Sequence, residues 1–242
     1  MNIGIIGYGH FGMFVHRLVS RFVSGAQVRV YSSRREPDSI TFFPLADVAT
    51  CDVVVLCVPI HAFETTVEKI LPLLGKNSIL VDVATVKIHT CEVLKRLVSD
   101  RKYIATHPMF GPESYAKKNQ SVAGFRIVLT EHTLAQSEYN MLTEFFEQCG
   151  FTIVHLSTEQ HDQHLAETLF LTHYVGQIIT SGDFVRTEID TISFGYLMDA
   201  VESVRNDKEL FKDVYKYNPY CKEVLERFAR GEKQVHVLLE GN

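Results

Sequence analysis

Seven short runs rich in Val, Ile and Leu punctuate the first 156 residues, and they constrain the fold more than any other feature of the chain. NIGIIG (2–7), QVRVYS (27–32), DVVVLCV (52–58), SILVDV (78–83), YIATH (103–107), RIVLT (126–130) and TIVHL (152–156) have the length and composition of strands. Stretches with helical spacing of apolar residues lie between several of them, at 11–23, 61–74, 87–98 and 134–149. Near-continuous apolar strands alternating with helices predict a mainly parallel sheet covered on both faces. From 158 to 239 no strand-like run occurs, only helix-compatible stretches broken near Gly182 and at Asn218-Pro219. The expected organisation is an α/β domain over 1–156 followed by an all-helical domain over 157–242.

The first run leads straight into Gly7-x-Gly9-x-x-Gly12, where a helix opens. Glycines at this spacing allow a tight turn, a close backbone approach to a pyrophosphate, and close packing of helix on strand. The N–H groups of His10 and Phe11, at the helix start, point toward such a phosphate. In a strand–turn–helix context this predicts a Rossmann-type dinucleotide-binding domain; in isolation the same glycines would make a plain turn. About 20 residues on, an NAD-binding chain carries an Asp or Glu for the ribose 2′-hydroxyl. Here the segment reads YSSRRE, with Ser32, Ser33, Arg34 and Arg35 in that region. Hydroxyls and guanidiniums suit a 2′-phosphate, and one charged hydrogen bond is worth roughly 1.5–3 kcal/mol, or about 10- to 150-fold in affinity. The expected cofactor is therefore NADP, the bland alternative being two arginines on a solvated loop.

The chain has 242 residues and a formal net charge of −5. With no basic stripe to neutralise phosphates, nucleic acid is not expected as a partner. No apolar run approaches the ~20 residues needed to span a bilayer. The five cysteines (51, 57, 91, 149 and 221) are dispersed and form no Cys-x-x-Cys pair, and the opening MNIGIIGYG is strand-like with no targeting pattern before it. Together these lead to the expectation of a cytoplasmic protein with reduced thiols.

Chemistry-bearing residues cluster where the strands end. SILVDV is followed by Ala84, Thr85, Val86 and Lys87, which places Asp82, Thr85 and Lys87 at one strand end; YIATH ends in His107. In an open α/β sheet, ligands sit outside the carboxyl ends of the strands. If the two strands are neighbours, Thr85 and His107 face one pocket. An imidazole there is suited to take a hydroxyl proton as hydride leaves the same carbon, and a hydroxyl partner would orient the substrate oxygen. The Pro-, Gly- and Pro-containing turn after His107 would hold it still. A lone histidine at a strand end is also commonly structural. His161 and His164 suggest a metal only weakly, because their helix start is polar and offers no third ligand; no metal is expected.

The glycine fingerprint, DVATVK (82–87), THPMFGPES (106–114) and HDQHLAETLFLTH (161–173) resemble the prephenate/arogenate dehydrogenases of tyrosine biosynthesis, most strongly the plant-type arogenate enzymes. HPMFGP is highly specific, and the likeness covers nearly the whole chain. The resemblance implies an NADP-binding domain, a helical dimerisation domain, a homodimer, and oxidative decarboxylation of a cyclohexadienyl ring. It also implies that His107 is the catalytic histidine and that Thr85 stands where the family usually has serine. By the same likeness His173 lines the substrate pocket. Asp162, Ala166, Leu169 and His173 recur at i, i+4, i+7 and i+11, one face of a regular helix. Leu169 departs from the glutamine of plant-type enzymes.

Prephenate carries a keto side chain and arogenate an ammonium. The arginine of prephenate-type enzymes aligns with Glu202, and Asp207 with the acidic position associated with arogenate. A carboxylate there favours an ammonium, although Asp207 is equally suited to cap the helix that follows it. The expected reaction is conversion of L-arogenate to L-tyrosine with NADP+. Alternatives are a prephenate or dual-substrate cyclohexadienyl dehydrogenase, a 3-hydroxyacid or imine-reducing dehydrogenase, and a non-catalytic NADP-sensing module.

Overall fold

The computed structural model describes residues 1–241. Seven strands form one sheet: β1 (Asn2–Ile6), β2 (Gln27–Tyr31), β3 (Val53–Leu56), β4 (Ile79–Asp82), β5 (Lys102–Pro108), β6 (Arg126–His132) and β7 (Thr152–His155). Their order is β2-β1-β3-β4-β5-β6-β7. All pairings are parallel except β5–β6, which is antiparallel. The result is a Rossmann-type, mainly parallel sheet. Each of the seven apolar runs forms a strand, to within two residues at either end. They are strands because Val and Ile fit a pleated surface buried on both faces; Ile5, Val54 and Leu56 are fully buried.

The helices of this part are α1 (His10–Phe22), α2 (Leu45–Ala49), α3 (Phe63–Ile70), α4 (Ile88–Leu97), α5 (Pro112–Lys117) and α6 (Gln136–Gln148). Helix α1 shows how spacing becomes packing. Phe11, Phe14, Leu18 and Phe22 recur at i, i+3, i+7 and i+11, and all four meet a cluster built on Ile104, Phe110, Ile127, Leu129 and Phe151. Burying a side chain such as Phe14 contributes roughly 1.5–3 kcal/mol.

The chain divides into two compact units, Met1–His161 and the residues from Asp162 onward. The second contains no strand among its described residues. Its elements are the end of α7 (Thr158–Leu165), a π-helical turn (Ala166–Phe170), α8 (Leu171–Ser181), α9 (Ile192–Val204), α10 (Lys208–Tyr217) and α11 (Cys221–Glu240). Helices α8 and α9 cross closely at Gly176, where a β-carbon would lie 2.5 Å from Val204 Cγ2. Phe170 stacks on Phe211 at 5.3 Å, and Tyr174 meets Phe228 edge-on at 5.3 Å. Asn218 breaks the chain between α10 and α11: its side-chain N–H donates to the Asp162 carbonyl at 2.7 Å, and its Oδ1 accepts from Tyr220 N–H. Proline then prevents α10 from continuing. Among the described residues no helix is long and apolar enough to cross a membrane.

Candidate active site

At the carboxyl end of β1 the three glycines meet different surroundings. Gly7 has φ +101°, and a β-carbon on it would lie 2.2 Å from the Cys57 carbonyl oxygen. A β-carbon on Gly12 would lie 2.1 Å from the Gly7 carbonyl oxygen. Gly9 has nothing within 4 Å of where its β-carbon would stand. Two glycines therefore close the turn against β3, and the middle one leaves its outer face open, as a close-approaching pyrophosphate requires. Gly9 and His10 are exposed at the N-terminus of α1, and no acidic residue lies in its first turn. The first N–H groups of a helix lack partners within it, so those of His10 and Phe11 are open to an anion. The Phe11 ring itself packs into the core.

Ser32, Ser33, Arg34 and Arg35 form the turn directly after β2, beside β1. Arg34 N–H donates to Ser32 Oγ at 3.3 Å, and Arg35 N–H donates to the Ser32 carbonyl at 3.3 Å. Both arginines are exposed, and among the described residues neither guanidinium is held by a carboxylate. The residues present fit a dinucleotide, and the four after β2 offer hydroxyl and guanidinium donors where an adenosine ribose would end.

On the same rim, Asp82 of β4 pairs in register with Ala105 of β5. Thr85 thus lies in the loop after the end of β4, and His107 is the penultimate residue of the neighbouring parallel strand β5. Thr85 is half-buried in the loop before α4, and its hydroxyl makes no hydrogen bond to the described residues. His107 is 5% exposed. The β5–β6 register shifts between Ala105 and Thr106, an irregularity of the kind that re-aims side chains next to sites.

The partner of His107 was not legible in the sequence. Its Nδ1 lies 2.9 Å from Nε2 of His161, and the rings meet at 70° with centroids 5.1 Å apart. His161, expected at a polar helix start, is only 3% exposed. If His107 Nδ1–H donates to His161, then His107 Nε2 carries the lone pair. Burial, the neighbouring His161 and the charge of Lys87, in that order, hold His107 well below the usual imidazole range.

Beneath these residues Lys87 and Asp82 form an ion pair of 2.5 Å, both side chains fully buried. Lys87 Nζ also donates to the Thr106 carbonyl at 2.7 Å. The Asp82 carboxylate further accepts from Ala84 N–H and from the Thr90 hydroxyl, both at 2.7 Å.

In the helical unit, His173 is 4% exposed and its Nδ1 is a buried nitrogen without a hydrogen-bond partner. Its ring lies parallel to Phe211 of α10, centroids 6.2 Å apart. Burial lowers its pKa to about 4. Leaving such a group unsatisfied costs about 1–3 kcal/mol. Asp207 is exposed, one turn before Phe211 at the N-cap position of α10. Glu202 accepts from Arg186 Nε at 2.8 Å.

The expected stripe of Asp162, Ala166, Leu169 and His173 holds at three positions. The turn Ala166–Phe170 is π-helical, so it advances less per residue than an α-helix. Phe170, 1% exposed, takes the inner position, while Leu169 is half-buried. π turns frequently accompany functional sites.

The family model described as "Prephenate dehydrogenase, nucleotide-binding domain" matches residues 40–155. The chain is 30% identical to "Arogenate dehydrogenase 1, chloroplastic" of Arabidopsis thaliana, over 94% of this chain and 37% of the relative. It is 29% identical to "Arogenate dehydrogenase 2, chloroplastic" of the same plant, over 100% of this chain and 70% of the relative. The chain thus spans little more than a third of the first relative's length. Among solved structures, prephenate dehydrogenase from A. aeolicus in complex with hydroxyphenyl propionate and NAD+ superposes with a TM-score of 0.78. That match has 18% identity and covers 100% of this chain and 91% of the other, a likeness of fold.

Proposed function

The chain belongs to the prephenate/arogenate dehydrogenase family, and we propose that it converts L-arogenate to L-tyrosine with NADP+. The observation that carries this reading is the buried His107, held through Nδ1 by His161 near the end of β5, beside the strand β4 whose following loop contains Thr85. The cofactor, held by Gly7, Gly9, Gly12 and the helix start at His10 and Phe11, accepts a hydride when bound. Ser32, Ser33, Arg34 and Arg35 hold its 2′-phosphate.

His107 Nε2 takes the proton of the ring hydroxyl as hydride leaves the same carbon, and Thr85 orients that oxygen. The ring carboxylate departs as CO2, its electron pair entering the ring, which becomes aromatic. The new phenolate oxygen recovers the proton from His107, so the balance is one hydride transferred and one CO2 released. Aromatisation drives the reaction, and the protein's work is orientation plus one proton transfer. His173, with its open Nδ1, binds substrate, and the Asp207 carboxylate favours the arogenate ammonium.

We also propose that the protein is a homodimer through its helical part. Ile189, Ile192 and Tyr196 are 84%, 78% and 72% exposed, and the last two share one face of α9. An apolar face of this kind marks an association surface.

A second reading is a prephenate or dual-substrate dehydrogenase, which needs no substrate role for Asp207; that residue stands at the N-cap position of α10, where its side chain makes no cap hydrogen bond. Initial rates with arogenate and with prephenate, each with NADP+ and NAD+, separate the two. Turnover of arogenate alone supports the first reading, and turnover of prephenate removes the substrate assignment. Turnover of neither, with cofactor still bound, removes the reaction.

A further inference from the structure

We propose that the Asp82–Lys87 pair is a positioning device for His107. It fixes the backbone from which the imidazole projects and holds the Lys87 ammonium, paired with Asp82, beside it. The proposal rests on the reading of His107 as the base. Both side chains are 0% exposed. Desolvating two ions costs enough that an apolar pair of the same volume is commonly as stable or more so, and stability alone therefore does not account for them.

Their placement does. Asp82 ends β4, and Thr106 immediately precedes His107. Lys87 Nζ bridges them, donating to Asp82 Oδ2 at 2.5 Å and to the Thr106 carbonyl at 2.7 Å. The Thr106 hydroxyl donates back to the Asp82 carbonyl at 2.8 Å. Thr90 Oγ1 and Ala84 N–H fill the remaining sites of the carboxylate. One knot thus joins the ends of β4 and β5, the loop that carries Thr85, and the first turn of α4. It lies where the β5–β6 register shifts, so it holds the irregular backbone that a plain ladder would not.

The electrostatic part follows from the same geometry. The titratable groups facing His107 are His161 from α7, and Lys87 with its counter-ion Asp82 from the end of β4; across β6 its register partner is Val128. Lys87 sits nearer the His107 backbone than a mobile surface cation could, and its charge opposes a second positive charge on the imidazole. His107 Nε2 is thereby kept as a lone pair ready to take a proton.

The test is an NMR titration of 15N-histidine-labelled protein, with His107→Asn to assign the signal, alongside the pH profile of kcat/KM. In the double variant Asp82→Asn/Lys87→Met the pair is removed without leaving an isolated charge. We expect that variant to fold, and His107 to gain its proton at a higher pH than in the unchanged protein. The acid limb of kcat/KM moves in the same direction. Asp82→Asn alone, which leaves the cation uncompensated, shifts the titration the opposite way. An unmoved His107 titration in the folded double variant overturns the proposal, even if turnover falls evenly at all pH. A shifted titration in a protein that turns over neither arogenate nor prephenate retains the positioning device and removes the proposed reaction.

Discussion

His107 and His173 are both buried imidazoles, and they differ in what their nitrogens meet. Nδ1 of His107 is matched by His161, whereas Nδ1 of His173 has no partner. A matched ring is held in one tautomer; an unmatched one keeps a polar nitrogen unsatisfied. Replacing His107 with Asn should lower turnover by ~10²–10⁴ while leaving cofactor affinity unchanged; a loss below threefold in steady-state assays would remove its role as base. His173 has a further consequence for stability. Its folded pKa, about 4, lies below the ordinary 6.5, so between those values the unfolded chain binds more protons than the folded one. Stability is therefore full above about pH 6.5 and declines as pH falls toward 4, and the lowered His107 acts with the same sign. Urea unfolding at pH 7.5 and at pH 4.5 should show this loss, and His173→Asn should reduce the difference between the two. The sequence pointed to His107 because Pro, Gly and Pro follow it. It could not point to His161 as the partner, which lies 54 residues further on at a helix start with no apolar signal.

At the scale of elements, the glycine turn separates two kinds of constraint. Gly12→Ala would drive a β-carbon into the Gly7 carbonyl, with nothing flexible to give way. A stability loss of about 1–3 kcal/mol is expected from such overpacking, visible as a Tm lowered by several degrees. Gly9→Ala meets open space and should leave Tm within about a degree or two while weakening dinucleotide binding at least tenfold in calorimetry. Equal Tm effects for the two variants would mean that Gly9 is held by packing instead. The strands were legible because burial on both faces writes a continuous apolar run, and α1 because its apolar spacing is helical. Helices α2 and α5 were not, being five and six residues long, too short to display a period. The π turn was also hidden, because its residues fit an α-helical spacing equally well.

At the scale of the molecule, the strand order places the glycine turn of β1 between the ends of β2 and β3. That is why residues 7–12 and 32–35 share one rim. In the helical part, the apolar Ile192 and Tyr196 are exposed on α9. Ile192→Glu/Tyr196→Glu should convert a dimer into a monomer in sedimentation velocity experiments; a wild-type protein that is already monomeric at micromolar concentration would remove the dimer proposal. The double change should leave the Rossmann-type unit folded, since neither residue belongs to it.

What the sequence by itself determined are the features with a short period. Alternation of strand and helix, the helical tail, the glycine turn and the histidine before a Pro- and Gly-rich turn each depend on residues a few positions apart, whose spacing is set by local backbone geometry. Only the tertiary structure decided which residues meet across long separations. The antiparallel placement of β6 depends on how strands pair and not on their composition. The His107–His161 contact and the burial of Lys87 against Asp82 and Thr106 arise from packing, because a charge or an imidazole that is solvated in an isolated segment becomes a fixed, directional group only when other elements close over it and exclude water.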